Sequence, residues 1–215
     1  SGLMRTSPDG TLVPDLASGY QIEDDGKTYT FTLRDNILWH DGTPITADDV
    51  VYTIERALDP AIKSPRRANW EGVTVAKEGT KTISFTLKQP YASFLENMTM
   101  GILPKHKWSA FDAESFPFSP LNTRPIGSGP YTVEKVKTDS NGIPVAYELS
   151  PFEQAANEQA KVDITILFFD TNDSLVGALR NGTIESAAAL SPSDARTLAN
   201  EGYREIPAPH PRIFA

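Results

Sequence analysis

There is no cysteine anywhere in this 215-residue chain. Disulfides, thiolate metal sites and cysteine nucleophiles are therefore excluded. The absence alone does not fix a compartment: it suits export, where stray thiols are a hazard, but many cytosolic chains lack cysteine too. Histidine is scarce, with three copies at His40, His106 and His210. They lie far apart, and none falls in an H-x-x-x-H or H-E-x-x-H spacing that would hold a metal ion. Long apolar runs are missing as well. The longest stretch, Ile164 to Phe169, is interrupted by Thr165 and falls far short of the ~20 residues that span a bilayer. Basic charge is in short supply, with 20 Lys and Arg against 28 Asp and Glu, a net charge of -8 and a pI near 4.9. Phosphate binding needs clustered Lys and Arg. The one basic cluster, Lys63 with Arg66 and Arg67, reads as a solvated loop, so nucleic acid is not an expected partner. The opening Ser1-Gly2-Leu3-Met4-Arg5 is no signal peptide, so the chain is expected either to be cytosolic or to have lost its targeting segment. The apolar run Ile213-Phe214-Ala215 is expected to enter a further strand, as at a cut rather than a natural end.

What is present is ordinary for a globular chain: 39% apolar and 22% charged residues, enough to bury a sizeable core. Leu16 to Ile22 reads as a strand, Asp24-Asp25-Gly26-Lys27 as a turn of residues that tolerate left-handed backbone, and Thr28 to Leu33 as a second strand with Tyr29, Phe31 and Leu33 on one face. After the turn Trp39 to Pro44, Thr46 with Asp49 three residues on predicts a capping box. The helix it opens runs to Leu58 with an apolar stripe of Val50, Val51, Ile54, Ala57 and Leu58, and Asp59-Pro60 stops it. Val73 to Val75 and Thr82 to Leu87 read as another strand pair. Gln89-Pro90 is expected to open a second helix, lined by Tyr91, Phe94, Leu95 and Met98, and 101–125 reads as a loop with short helical pieces. Strands are predicted at Tyr131 to Val136 and Val145 to Leu149. A β-α-β unit follows: a buried strand Val162 to Phe168, a helix Ser174 to Arg180 and a strand Thr183 to Leu190. A helix capped by Ser191 with Pro192 in its first turn and a last strand Tyr203 to Ile206 complete the reading.

Candidates for chemistry have plainer readings beside them. His40-Asp41 has the makings of a proton-relay pair but reads better as a turn packing beside Trp39. Gly127-Ser128-Gly129 lacks the G-x-S-x-G spacing of a nucleophile elbow and the longer glycine pattern of a phosphate loop, and Pro130 removes a backbone donor, so a tight turn between domains is expected. Asp24-Asp25 and Asp48-Asp49 suit a hairpin turn and a helix first turn. Asp170, Asn172 and Asp173 cover half of a calcium loop without its glycine and closing glutamate, which leaves helix capping. Trp70, Met98, Met100 and Phe214 are either core or, as aromatic and Met side chains in adaptable sites, cleft lining. No catalytic constellation emerges, and neither a metal nor an organic cofactor is expected.

Two stretches together resemble one family. Leu16 to Arg34 runs into Trp39-His40-Asp41-Gly42-Thr43-Pro44-Ile45-Thr46-Ala47-Asp48-Asp49-Val50 and on to Arg56, and further along comes Pro125-Ile126-Gly127-Ser128-Gly129-Pro130-Tyr131. In order and spacing these resemble the periplasmic dipeptide-, oligopeptide- and nickel-binding proteins that feed ABC importers (family 5), with lower fidelity over nearly the whole chain. The resemblance implies an α+β fold of the type II periplasmic-binding kind: an extra N-terminal domain over residues 1–125, part of the first lobe over 126–215, and no second lobe. It implies a non-enzyme that captures short peptides or a similar solute and hands them to an ABC permease in the membrane. Such a protein is a monomer, periplasmic or otherwise extracytoplasmic, with a lipid anchor possible in the full-length protein. The other role implied is that of a solute-sensing domain in a transcriptional regulator. Cleft-lining positions carried over from the family are Trp70, Asn97, Met98, Ala188, Ala189, Leu190, Ser191 and Phe214. The chain departs from the family at Ser150-Pro151-Phe152-Glu153, where a Trp-bearing segment is common.

Overall fold

The computed structural model describes residues 1–156 and 160–206. Strands β1 (Met4–Thr6) and β2 (Leu12–Pro14) form a small antiparallel pair. The main sheet joins β3 (Ala17–Glu23), β4 (Thr28–Leu33), β5 (Val73–Lys77) and β6 (Thr82–Leu87), antiparallel throughout in the order β3-β4-β6-β5. Alternation along β4 works as its pattern predicts: Tyr29, Phe31 and Leu33 are buried. Register then sets Tyr29 opposite Phe85 and Phe31 opposite Ile83, so the aromatic rings of neighbouring strands share one face. Phe31 and Phe85 meet edge-on at 5.7 Å, and Phe85 and Phe94 at 6.0 Å. Each fully buried ring contributes about 1.5–3 kcal/mol.

Helix α1 (Ala47–Leu58) begins where the Thr46/Asp49 pattern places it: the Thr46 N–H donates to Asp49 Oδ2 at 2.9 Å. Its Val50, Ile54 and Ala57 enter the core with Leu3, Leu16, Trp39 and Ile83, while Val51 and Leu58 are half-buried. The expected second helix is reduced to α2 (Phe94–Asn97). Around it the N–H groups of Phe94, Glu96, Met98 and Met100 bond carbonyls three residues back. These are the tight bonds of 3-10 turns, which rarely extend far. Phe94 and Met98 are buried as the apolar spacing predicts, but Tyr91 is exposed. Helix α3 (Lys105–Trp108) and two 3-10 turns make up the short pieces of 101–125.

Further on, β7 (Tyr131–Thr138) and β8 (Pro144–Pro151) flank a turn whose Asp139 carboxylate accepts from the N–H groups of Asn141 and Ile143, each at 2.8 Å. With β9 (Ile164–Leu167) they form a sheet in the order β7-β8-β9. Helices α4 (Asn172–Arg180) and α5 (Pro192–Asn200) are capped by Thr171 and Ser191. Three expectations fail here. The stretch Val162 to Phe168 was expected to be buried, but Val162, Ile166 and Phe168 are 64%, 42% and 53% exposed. Thr183 to Leu190 and Tyr203 to Ile206 carry no strand. A strand needs a neighbouring ladder to satisfy its backbone, and Ala189 at φ +59 breaks the extended path.

The chain separates into two compact units. One is Ser1–Val136 with Tyr147–Thr165; the other is Lys137–Ala146 with the described residues from Ile166. The first holds the large core. In the second, Val176, Leu179 and Leu198 form a small cluster edged by Ile184, Leu190 and Tyr203.

Candidate functional site

The carried-over positions fall into two groups. Trp70, Asn97 and Met98 come together in the first unit. Trp70 is 1% exposed, its ring 6.0 Å from Phe85 and 6.2 Å from Phe94. Asn97 accepts from Asn69 Nδ2 and donates to the Asn69 carbonyl, both at 3.1 Å, and also donates to the Tyr91 hydroxyl. The Met98 side chain is buried, and its carbonyl accepts from the Met4 N–H at 3.0 Å. The void these three share with Leu3, Val50 and Phe85 measures about 10 Å³, no more than one water. The side chains are thus committed to packing and to one another.

The other group, Ala188 to Ser191, lies in the second unit between α4 and α5. Ala188 and Ala189 are exposed; Leu190 and Ser191 are half-buried. Ser191 Oγ accepts from the Asp194 N–H at 3.1 Å and donates to Asp194 Oδ2 at 2.6 Å, so its hydroxyl serves the helix start. The loop carries small side chains and one left-handed residue, Ala189 at φ +59. Phe214, and with it His210, lies outside the described residues.

The two conspicuous stretches of the sequence are closely joined within the first unit, a contact that no local spacing announces. The His40 N–H donates to the Gly127 carbonyl at 2.8 Å, the Gly127 N–H donates to His40 Nδ1 at 3.2 Å, and His40 Nε2 donates to the Gly129 carbonyl at 3.0 Å. The imidazole meets Phe152 edge-on at 4.8 Å. Burial pushes the His40 pKa below its ordinary value, against the hydrogen bond to Gly129. The His40-Asp41 relay does not form as such: Asp41 Oδ2 instead takes His106 Nε2 at 2.8 Å and Lys107 Nζ at 3.2 Å. Burial works to raise the Asp41 carboxyl, but the hydrogen bonds from His106, Thr43 and Lys107 outweigh it and hold it well below the usual range. A cavity of about 230 Å³ opens beside this pair, lined by His40, Asp41, Arg124, Ile126, Thr132 and Glu134. The only advance signal was that both stretches read as turns.

Ser128 is 2% exposed, and its hydroxyl has no partner among the described residues. It borders a cavity of about 80 Å³ with Arg5, Asp15 and Pro130, roomy enough for water to satisfy it. Among the described residues there is no group of three His, Asp or Glu able to hold a metal ion, and no helix long and apolar enough to cross a membrane.

Residues 11–214 match the family model for bacterial extracellular solute-binding proteins, family 5. A probable di/tripeptide-binding protein of Pseudomonas aeruginosa is 31% identical over 92% of this chain, which spans 40% of that protein. The crystal structure of NikZ from Campylobacter jejuni, in complex with Ni(L-His), superposes with a TM-score of 0.76 at 33% identity, covering 86% of this chain and 36% of NikZ. The ABC transporter substrate-binding protein CtaP of Listeria monocytogenes gives a TM-score of 0.75 at 32% identity, covering 90% and 39%. The chain therefore spans well under half the length of these relatives. Its mixed α+β architecture is part of a periplasmic-binding-protein fold of type II, and the chain belongs to the bacterial extracellular solute-binding proteins of family 5.

Proposed function

We propose that this chain is part of the solute-capturing component of an ABC importer, working outside the cytoplasmic membrane on short peptides or a chemically similar solute. The observation that carries the reading is the match to an extracellular solute-binding family over 11–214, joined to the likeness to a di/tripeptide binder. In this reading residues 1–125 are the family's extra domain and 126–215 part of the first lobe. Capture works by closing a cleft on the solute, with main-chain hydrogen bonds holding a peptide backbone and wet pockets tolerating varied side chains. No covalent chemistry is asked of any residue. Ala188, Ala189 and Leu190 form a ligand-facing edge. Buried Trp70, Asn97 and Met98 act by holding the fold of the first unit, and Ser191 by holding the start of α5. Transfer to an ABC permease completes the cycle.

The test is native mass spectrometry on the complete product of the gene, purified without added ligand. Bound peptides of a few residues are expected, and Ala188→Trp, at an exposed position, should weaken peptide binding at least tenfold without unfolding the protein. A protein that arrives empty and ignores mixed di- to pentapeptides, yet is stabilised by nickel–histidine, would overturn the peptide assignment in favour of a metal complex, as in NikZ.

A further inference from the structure

We propose that His40 is a pH-sensitive latch: its neutral imidazole fastens the Ile126–Pro130 strap to the Trp39–Thr43 turn, and protonation lets the strap go. The inference concerns the fold of the first unit and does not depend on which solute is captured.

The geometry admits one protonation state. The Gly129 carbonyl only accepts, so Nε2 must carry hydrogen; the Gly127 N–H only donates, so Nδ1 must offer its lone pair. Both bonds hold together only in the neutral Nε2–H tautomer. A second proton on Nδ1 would abolish the Gly127 bond and set two N–H groups against each other. The ring cannot easily turn away. Phe152 packs against it at 4.8 Å, and the Phe152 N–H is itself bonded to the Pro130 carbonyl at 2.8 Å, so it belongs to the same strap. Gly127 stands so close that a Cβ built there would lie 3.1 Å from His40 Cε1.

Among the described residues, few charged groups surround the ring. Asp41 favours the imidazolium, and the Ser1 amino group opposes it. Asp41 is already engaged by His106 and Lys107. Phe152, Gly127 and Gly129 carry no charge, and the adjoining cavity adds Arg124, Glu134 and Lys135. Burial is the largest influence and favours the neutral ring. With a folded pKa below the unfolded value, the latch is fully closed above about pH 6.5 and its stabilisation is lost as pH falls through the folded value.

The test is a pH titration of the 215-residue chain by nitrogen-15 NMR, reading the His40 ring nitrogens and the Gly127 amide. The expected result is an Nε2–H tautomer at neutral pH and titration below 6.5. Across that titration the Gly127 amide should lose at least tenfold in exchange protection, corrected for the intrinsic rate. His40→Asn keeps an acceptor near the place of Nδ1 but cannot gain a proton, so in it Gly127 protection should not change with pH. An Nδ1–H tautomer, titration at or above the ordinary value, or Gly127 protection that is flat in the parent would overturn the latch. So would equal pH dependence in His40→Asn. Should that variant not fold, the tautomer and the Gly127 profile of the parent chain decide the matter alone.

Discussion

The Asp49 carboxylate accepts from the Thr46 N–H with Oδ2 at 2.9 Å and from the Lys105 N–H with Oδ1 at 2.9 Å. It is 5% exposed, so neither amide would regain a water partner easily if the carboxylate were removed. Asp49→Ala is expected to cost about 3 kcal/mol, a lost cap plus an orphaned amide, read as a shift in the urea midpoint. Asp48→Ala beside it removes only exposed ion pairs to Lys77 and Lys105 and should stay within about 0.5 kcal/mol. The first of Asp49's bonds was legible, since Thr46 and Asp49 stand at capping-box spacing. The second was not, because nothing in local spacing links residues 49 and 105. The His40–Gly127 contact was hidden for the same reason: two turn-like stretches carry no mark of their being partners. Gly127→Ala should cost roughly 1–2 kcal/mol through the close approach to His40. In a His40→Ala background much of that cost should vanish, a coupling that a double-mutant cycle would measure.

At the scale of the element, the β3–β4 connection turns on three successive left-handed residues, Asp24 at φ 52, Asp25 at φ 53 and Gly26 at φ 86. Asp24 also accepts from the Thr28 hydroxyl at 2.7 Å. Aspartate and glycine bear this backbone where a β-branched residue would not. Asp25→Val should lower stability by about 1–2 kcal/mol by thermal unfolding, and Asp25→Gly should be neutral or better. Equal losses in both would mean that the carboxylate, not the backbone, matters. Elements with such local chemistry were legible: the hairpin, α1 with its cap, and α5 with Ser191 and Pro192. The stretch around Phe94 was half legible, since apolar residues three and four apart mark a buried side without distinguishing an α-helix from 3-10 turns. Thr183 to Leu190 was misleading because the segment finds no ladder among the described residues. Composition describes what a segment tolerates, and the neighbouring strand decides what it becomes.

At the scale of the whole molecule, the two units differ in what holds them. The first is built on Leu16, Phe31, Trp39, Val50, Ile54, Ile83, Phe85 and Phe94, all buried. The second rests on Val176, Leu179 and Leu198 and leaves Ile143, Val145, Ile166 and Phe168 largely exposed. Less buried apolar surface means a smaller free energy of opening. Amides of α4 and α5 should therefore lose exchange protection at urea concentrations that leave β4 and β6 intact; a single coincident transition would refute this. Acid should separate the units too. Arg180 donates to both Glu201 oxygens, at 2.8 and 2.5 Å, and these bonds lower the Glu201 pKa. That stabilisation is complete above the ordinary glutamate value of about 4.3 and is lost as pH falls below it; because both groups are exposed, it is small and weakened by salt. The His40 contribution fades earlier, from about pH 6.5 downward. Exchange followed from pH 7 to about pH 3 should therefore show the Gly127 amide loosening first, with α4 and α5 following only below about pH 4.3. Glu201→Gln should remove the second step and leave the first, whereas His40→Asn should do the reverse.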